Sequence, residues 1–292
     1  MESACVKITE CPRDAMQGLP GFIPTKKKAA YINSLLKVGF DVIDFGSFVS
    51  PKAIPQMRDT AELVSLLELD DTSSKLLSII GNMRGAEHAC SFSGITYLGF
   101  PHSVSPTFLK RNINSTIEKS RNLIEELLLL CDKHGKELVV YVSMGFGNPY
   151  NDLWDVSVVE EEVAWLSEKG VRIIQLSDTI GVSTPEKISA IFKLLTHNFP
   201  ELEFGFHLHT DIYRWHQQLD AAFKNGCRSF DTVLLGLGGC PMAEDELVGN
   251  LKTVSLIEYL EEAGFKPCIN KDAFEKAFIQ SLLTFEDYIT LI

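Results

Sequence analysis

The chain lacks the long apolar runs of a membrane protein. No window of its 292 residues approaches the roughly 18 unbroken apolar residues of a spanning helix. Its first residues carry no basic stretch ahead of an apolar segment, the pattern of a secretory leader. We therefore expect a soluble protein with no membrane partner.

Positive charge is scarce. The chain has 27 Lys and Arg residues and 39 Asp and Glu residues, which gives a net charge of −12. Such a surface repels the phosphate backbone of nucleic acid, so no nucleic-acid partner is expected. An anionic substrate must instead be attracted by a local basic patch or by a metal ion.

Two further absences narrow the class of protein. The seven cysteines form no Cys-x-x-Cys pair, and the chain is too long for a disulfide scaffold, so we expect a reduced, cytoplasmic protein. Neither a P-loop nor a Gly-x-Gly-x-x-Gly segment follows the first predicted strand. A nucleotide-binding fold is therefore not indicated.

Strands and helices alternate evenly along the chain. Eight strands are predicted. The third is a short strand that ends at residues 79–81, and the others lie at residues 6–10, 41–46, 95–100, 138–143, 173–178, 203–209 and 229–235. No low-complexity linker interrupts them, and the length suits a (β/α)8 barrel of roughly 250 residues. We predict an α/β fold, a TIM barrel formed by a single domain over residues 1–292, with an extra helical segment at residues 270–292.

The seventh predicted strand carries the clearest chemical pattern. Alternation places His207 and His209 on the same face as Gly205, and the apolar side chains on the other. Paired imidazoles at the end of a strand indicate a metal site. The alternative is a pair of core histidines that hydrogen-bond to nearby carbonyls.

Catalytic groups of such barrels lie at the carboxyl ends of the strands. The polar residues predicted there are Arg13, Asp14, Asp44, Ser47, Asp178, His207, His209 and Cys240. Asp14 with the two histidines offers oxygen and nitrogen ligands that suit Mg²⁺ or Mn²⁺, with Zn²⁺ as a further option. Alternatively, Asp14 is an ordinary N-cap or turn carboxylate.

Three of the neighbouring residues have both a chemical and a structural explanation. Arg13 is placed to stabilise an enolate oxygen, or else forms a structural ion pair. Cys240 follows a glycine-rich strand end and is a candidate proton donor, or else a buried turn cysteine. Asn250 either caps the helix that follows it or contributes an amide oxygen to the metal.

Several motifs in this order resemble the 3-hydroxy-3-methylglutaryl-CoA lyase family of metal-dependent barrels. They are Pro-Arg-Asp at residues 12–14, Ser-Phe-Val-Ser-Pro-Lys at 47–52, Asp-Thr-Ile-Gly at 178–181, His-x-His at 207–209 and Gly-Leu-Gly-Gly-Cys-Pro at 236–241. The resemblance extends over most of the chain, from about residue 6 to about residue 264.

The resemblance implies a retro-Claisen cleavage that releases acetyl-CoA from a 3-hydroxyacyl-CoA. It assigns Asp14, His207, His209 and Asn250 to the cation, Arg13 to the enolate and Cys240 to proton transfer, with Asp44 and Asp178 as further catalytic candidates. It also places Gln17 and Ser47 among the substrate-binding residues. For the phosphates of CoA, the nearest basic candidates after the third and fourth strands are Arg84, Lys110 and Arg111.

Departures from the family pattern gather around the substrate. The family carries glutamate where this chain has Asp44, and the segment between Cys240 and Asn250 is one residue longer and acidic. The exact acyl group of the substrate therefore stays open. Two alternative functions are a Claisen-condensing synthase of the isopropylmalate or homocitrate type and an inactive barrel that acts as a binding protein. A homodimer or higher homo-oligomer is expected.

Overall fold

The strands form a closed parallel barrel in the computed structural model, which describes residues 6–239 and 248–289. Each strand pairs with the next in the chain, and β8 closes the ring by pairing with β1 from Lys7 opposite Ser229 to Glu10 opposite Thr232. The predicted (β/α)8 barrel is confirmed. The strands are β1 Lys7–Glu10, β2 Val42–Ser47, β3 Lys75–Ile79, β4 Ile95–Ser103, β5 Glu137–Ser143, β6 Ile173–Asp178, β7 Glu203–Leu208 and β8 Ser229–Thr232.

Helices surround the barrel because the outward side chains of the strands are apolar and must be buried. Phe206, Leu208 and Phe230 are examples, each almost fully buried in the main core. The helices are α1 Pro12–Gln17, α2 Thr25–Leu36, α3 Thr60–Ser65, α4 Met83–Cys90, α5 Pro106–Ile113, α6 Ile117–His134, α7 Val156–Lys169, α8 Pro185–Asn198, α9 Trp215–Lys224, α10 Thr253–Glu262 and α11 Lys271–Ile289.

Two strands differ from the sequence prediction by three residues at the functional end of the barrel, and β2, β3 and β7 differ there by one or two residues. β8 ends at Thr232, three residues earlier than expected, and β4 continues three residues further, to Ser103. Directly after β1 the chain forms α1, in which Pro12 occupies the first turn, where a missing N–H costs nothing. This short helix sets Arg13 and Asp14 over the barrel opening.

The predicted C-terminal helix is present as α11 and packs on the outside of the barrel against α2. The ring of Phe285 meets the ring of Tyr31 edge-on, with centroids 5.5 Å apart. In the part of the chain that the structure describes, no helix combines the length and apolar character needed to span a membrane.

The buried carboxyl group of Glu10, at the end of β1, connects the first strand to the segments that follow the last strand, β8. Glu10 accepts a hydrogen bond from the Leu234 N–H at 2.8 Å, and its other oxygen lies 2.6 Å from Thr253 Oγ1. Burial raises the pKa of Glu10 to about 8, although these hydrogen bonds act in the opposite direction. The protonated form is therefore the one that the fold favours.

Glu10 should make stability fall with rising pH. Its folded pKa lies above the unfolded value, so its contribution is complete below about pH 4.5, falls by up to about 1.4 kcal/mol per pH unit, and levels off above about pH 8. Glu10→Gln mimics the protonated acid and should remove this slope. Urea unfolding of both proteins at pH 5.5 and 7.5 measures it, and an equal slope in the two would contradict the assignment.

Candidate active site

Three ligand-type side chains converge at the carboxyl end of the barrel. Asp14 lies in the first turn of α1, and His207 and His209 lie in β7 and directly after it. His207 Nε2 is 3.3 Å from Asp14 Oδ2 and 3.2 Å from His209 Nε2, while His209 Nε2 is 3.9 Å from the same Asp14 oxygen. Two ligands at about 2.1 Å from one ion, at octahedral or tetrahedral angles, lie about 3.0–3.4 Å apart. Two of the three separations lie in this range, and the third, 3.9 Å, exceeds it by about half an ångström, so a small movement of His209 or Asp14 would let the three groups hold one divalent cation.

The alternation of β7 produces this arrangement. Phe206 and Leu208 face the helices, whereas His207 and His209 face the interior together with Gly205. A Cβ at position 205 would lie 1.8 Å from Gln175 Oε1, so a larger residue there would require the buried Gln175 side chain to move. The prediction that these residues share one face is confirmed.

The far nitrogen of each imidazole has its own partner. His207 Nδ1 lies 2.9 Å from Asp231 Oδ2, and His209 Nδ1 donates to the carbonyl of Thr179 at 2.8 Å. These contacts fix each ring with Nε2 directed at Asp14. Outer hydrogen bonds of this kind orient metal-binding histidines and make them better ligands.

The cluster is strongly polarised. Burial lowers the pKa of His207, but the contacts with Asp14 and Asp231 outweigh it and raise the pKa to about 9. Burial raises the pKa of Asp14, but the charge of Arg13 and the hydrogen bonds from both histidines outweigh burial and lower this pKa well below its usual range. Asp14 is therefore an anion that favours positive charge beside it.

Arg13 is held next to the cluster by a second carboxylate. Its Nε and Nη2 donate to Asp44 Oδ2 at 3.0 and 2.5 Å, and its Nη1 lies 3.8 Å from Asp14 Oδ1. Burial raises the pKa of Asp44 to about 6 against the influence of Arg13. Asp44 is completely buried and lies outside the lining of the cavity described below, so its contact is with Arg13.

Asn250 lies beside His209 and not at the end of a helix. The two residues form an antiparallel bridge, and the Asn250 side chain donates to the Leu237 carbonyl at 2.9 Å. The residue that precedes α10 is Lys252, without a side-chain cap, so the alternative that Asn250 caps this helix is wrong. Its position is compatible with a ligand contributed from the edge of the cluster.

A cavity of about 340 Å³ opens from the cluster. Arg13, Asp14, Tyr141, His207 and His209 line one end. The opposite end is mostly apolar and runs beneath α5 and the segment after β2, where its walls are Val49, Ala53, Ile54, Phe108 and Ile113. The cavity therefore accepts a molecule with a polar reacting head and a longer apolar arm.

The sequence model of the HMGL-like family matches residues 6–278. This chain belongs to the HMGL-like family of lyases. The match includes all eight strands, the metal-type cluster and Asn250. The resemblance found in the sequence motifs is thereby confirmed.

Relatives of this HMGL-like chain are 3-hydroxy-3-methylglutaryl-CoA lyases. The cytoplasmic enzyme of Rattus norvegicus is 31% identical over 264 residues, which cover 89% of this chain and 75% of the relative. The enzyme of Bacillus subtilis is 30% identical over 259 residues, covering 87% and 84%. Among solved structures, the lyase of Acinetobacter baumannii in complex with coenzyme A and 3-methylmalate superposes with a TM-score of 0.90 at 29% identity, covering 98% and 93%. The Brucella melitensis lyase gives 0.88 at 30%, covering 96% and 99%.

Two of the expected substrate contacts of this HMGL-like lyase line the cavity. Gln17 Nε2 donates to Asp14 Oδ1 at 2.7 Å, so it also orients the carboxylate. Arg111 lies over the ring of Tyr150, 4.6 Å from its centroid, at the apolar end.

The structure does not bring Asp178, Ser47, Arg84 or Lys110 to the cluster. Both Asp178 oxygens accept backbone N–H groups at 2.9 Å, from Val182 and Ser183, because this last residue of β6 faces outward and closes the following turn. Ser47 and Arg84 line a neighbouring cleft of about 360 Å³. Lys110 bonds to Asn114 on the surface. Cys240 lies outside the described residues.

Two site residues were missed by sequence reasoning. Asp231 is an acid inside β8, and Tyr141 is an inward residue of β5 whose ring meets His207 edge-on at 5.8 Å. The Tyr141 hydroxyl is buried without a partner in the described part of the protein, and it lines the cavity. Alternation within β5 and β8 was the available indication, because it places both side chains inside the barrel.

Asp231 should determine how tightly a cation binds. Asp231→Asn removes the charge that holds His207 Nδ1, so we expect about 10- to 100-fold weaker binding of Mn²⁺ with an intact fold. Asp220→Asn is the matched control, since Asp220 binds Tyr259 and Lys224 away from the cluster. Mn²⁺ titration by calorimetry measures both, and equal affinities would contradict the role.

Proposed function

We propose that this lyase cleaves a 3-hydroxyacyl-CoA, hydroxymethylglutaryl-CoA or a close analogue, into acetyl-CoA and a keto acid. The observation that carries the proposal is the Asp14, His207 and His209 cluster at the polar end of a cavity whose other end is apolar. The thioester head would lie at the cluster and its pantetheine arm along the apolar walls. The relative from Acinetobacter baumannii, whose structure is a complex with coenzyme A and 3-methylmalate, supports a substrate that carries coenzyme A.

The reaction is a retro-Claisen cleavage. A base removes the proton of the 3-hydroxyl group, the bond between C2 and C3 breaks, and its electron pair stays on the thioester fragment as an enolate, which then takes up a proton. A divalent cation held by Asp14, His207, His209 and Asn250 would polarise the hydroxyl and carboxylate oxygens of the substrate. Mg²⁺ and Mn²⁺ suit this mixed oxygen and nitrogen set, and Zn²⁺ is the further candidate.

Arg13 and Gln17 would stabilise the enolate and orient the metal-binding carboxylate. Arg13, fixed by Asp44 and directed toward Asp14, is placed to stabilise the enolate oxygen as negative charge develops. Its position is set before substrate arrives, because Asp44 holds two of its nitrogens. Gln17 keeps the Asp14 carboxylate oriented.

Basic residues near the apolar end would bind the phosphates of CoA. Arg111 is at the cavity wall, Lys110 is its exposed neighbour, and Arg84 lines the adjoining cleft that shares Asn82 with the cavity. With a net charge of −12, the protein needs such local positive charge for a polyanionic cofactor portion. The five free cysteines among the described residues suit the reduced cytoplasm that we expect.

One assay tests the reaction. Purified protein with Mg²⁺ or Mn²⁺ is incubated with a panel of 3-hydroxyacyl-CoA thioesters, and acetyl-CoA release is followed. Release of acetyl-CoA with one equivalent of keto acid is the expected result. Acetyl-CoA consumption in the presence of a 2-oxo acid would identify a Claisen synthase instead, and no turnover in either direction would favour a binding protein.

Cys240 is the proton donor in this proposal, on the basis of the sequence motif. Cys240→Ser should retain fold and metal binding but lose roughly 10²-fold or more in kcat. Cys268→Ser is the control, since Cys268 is exposed on the segment before α11. Near-normal turnover of Cys240→Ser would remove this thiol from the mechanism.

A further inference from the structure

The cleft that adjoins the active-site cavity carries positive charge without a carboxylate. It has a volume of about 360 Å³ and is lined by the segment after β2, the start of α3 and the start of α4. The lining includes the guanidinium groups of Arg58 and Arg84 and the imidazole of His88, and none of the described residues that line it is an aspartate or a glutamate. In a protein with a net charge of −12, this cleft is a place that attracts an anion.

Both guanidinium groups are available to a ligand. Arg58 lies over the ring of Phe22, 3.7 Å from its centroid, and Arg84 is exposed in the first turn of α4. Within the described part of the chain, neither arginine forms an ion pair with a carboxylate. Their charge is therefore not neutralised by the protein itself.

Hydrogen-bond donors at the cleft are also unused. Ser47 is 2% exposed and lines the cleft, and its hydroxyl has no hydrogen-bond partner among the described residues. A buried hydroxyl without a partner costs free energy unless a bound molecule or a water satisfies it. At the beginning of α4, the Asn82 side chain accepts the Gly85 N–H at 3.0 Å, and the earlier N–H groups of this positively polarised helix end are not capped by it. Such donors beside two arginines are the groups that bind a phosphate.

The rest of the cleft is apolar and aromatic. Phe48 lines it, and the centroid of its ring lies 4.9 Å from that of His88 and 5.6 Å from that of Phe92. The cleft volume falls in the range of small-molecule sites, roughly 300–1,000 Å³, and exceeds what an inorganic phosphate alone would fill. Aromatic side chains offer a planar base a stacking surface.

We propose that this cleft is a nucleotide site, which binds a purine base that carries a phosphate monoester. Two sources share this chemistry. One is the adenosine 3′-phosphate end of an acyl-CoA whose thioester lies in the cavity; this source rests on the proposed function, and it is within reach because Val49, Ser50 and Asn82 line both the cleft and the cavity. The other is a free nucleotide that binds beside the active site.

Calorimetric titration with adenosine 3′,5′-bisphosphate tests the site without any turnover. The wild type should bind it, and Arg58→Gln and Arg84→Gln should each weaken binding about 10-fold or more, because each removes a charged donor to phosphate. Ser47→Ala should weaken binding less, by about fivefold, the effect of one neutral hydrogen bond. Arg172→Gln is the matched control and should bind like the wild type, since Arg172 is an exposed arginine directly before β6, at the opposite end of the barrel.

Kinetics with two thioesters identify the source. If the nucleotide end of acyl-CoA occupies the cleft, Arg84→Gln should raise KM for the acyl-CoA about 10-fold and should not change KM for the same thioester of dephospho-CoA, which lacks the 3′-phosphate. Loss of bisphosphate binding in Arg84→Gln without this difference between the thioesters identifies a free nucleotide.

The titration decides the site even if neither thioester is turned over, a result that would contradict the proposed lyase reaction alone. No binding of the bisphosphate to the wild type would overturn the nucleotide site. Equal affinities of the wild type, Arg58→Gln and Arg84→Gln, or an equally large loss in Arg172→Gln, would overturn it as well.

Discussion

His207→Ala should abolish binding of a divalent cation and lower kcat/KM by roughly 10³-fold or more, the largest effect that we expect from one substitution. His207 is the centre of the cluster, in contact with both other ligands and fixed from behind by Asp231. Its loss removes the ligand that lies closest to both Asp14 and His209 and leaves one carboxylate, one imidazole and the neutral amide of Asn250, a weaker ligand set. Calorimetric titration with Mn²⁺ and the acetyl-CoA assay measure the two losses.

A control variant distinguishes the loss of a metal ligand from a general effect of replacing a histidine. His197 is exposed in the last turn of α8, so His197→Ala should keep metal and activity. His209→Ala should resemble His207→Ala in metal binding. Full metal stoichiometry in the His207→Ala, His209→Ala double variant would place the cation elsewhere.

The barrel and the cluster were predictable because both follow from short repeating patterns. Alternation in a single strand aligned His207 with His209, and the rule that functional groups lie at the carboxyl ends of strands brought Asp14 to them. The closed strand order confirms the architecture behind that inference. These steps need no knowledge of side-chain conformation.

The same end-of-strand rule was insufficient for Asp178. Alternation through β6 directs Ser177 into the cavity and Asp178 away from it, where its oxygens bind the following turn. A residue at the carboxyl end of a strand therefore lies at the correct end of the barrel. Whether its side chain enters the site depends on whether the alternation along the strand directs it inward or outward.

Side-chain contacts between neighbouring elements could not be predicted from the sequence pattern. Asp231 and His207 are 24 residues apart, and the pairing depends on the register between β7 and β8, which places these two residues side by side. The ion pair of Arg13 with Asp44 depends likewise on how α1 folds back over β2. Periodicity along one strand carries no information about either contact.

Arg13→Met should lower kcat by about 10²–10³-fold while leaving metal binding and the fold in place. The guanidinium is placed to stabilise negative charge that appears only as the carbon–carbon bond breaks, so its loss should affect kcat more than KM. The fold tolerates the change because Asp44, whose pKa is already raised to about 6, becomes neutral more readily without its cationic partner. Steady-state kinetics measure the loss of kcat, and titration with Mn²⁺ shows whether metal binding is retained.

A double-variant cycle decides whether Asp44 acts only through Arg13. If Asp44 merely positions the guanidinium through Nε and Nη2, Asp44→Asn should cost less than Arg13→Met, and the double variant should be no slower than Arg13→Met alone. Additive losses would mean that Asp44 has a separate chemical role, although it is fully buried outside the cavity lining. Near-normal kcat in Arg13→Met would instead remove Arg13 from enolate stabilisation and leave its contact with Asp44 as a structural ion pair.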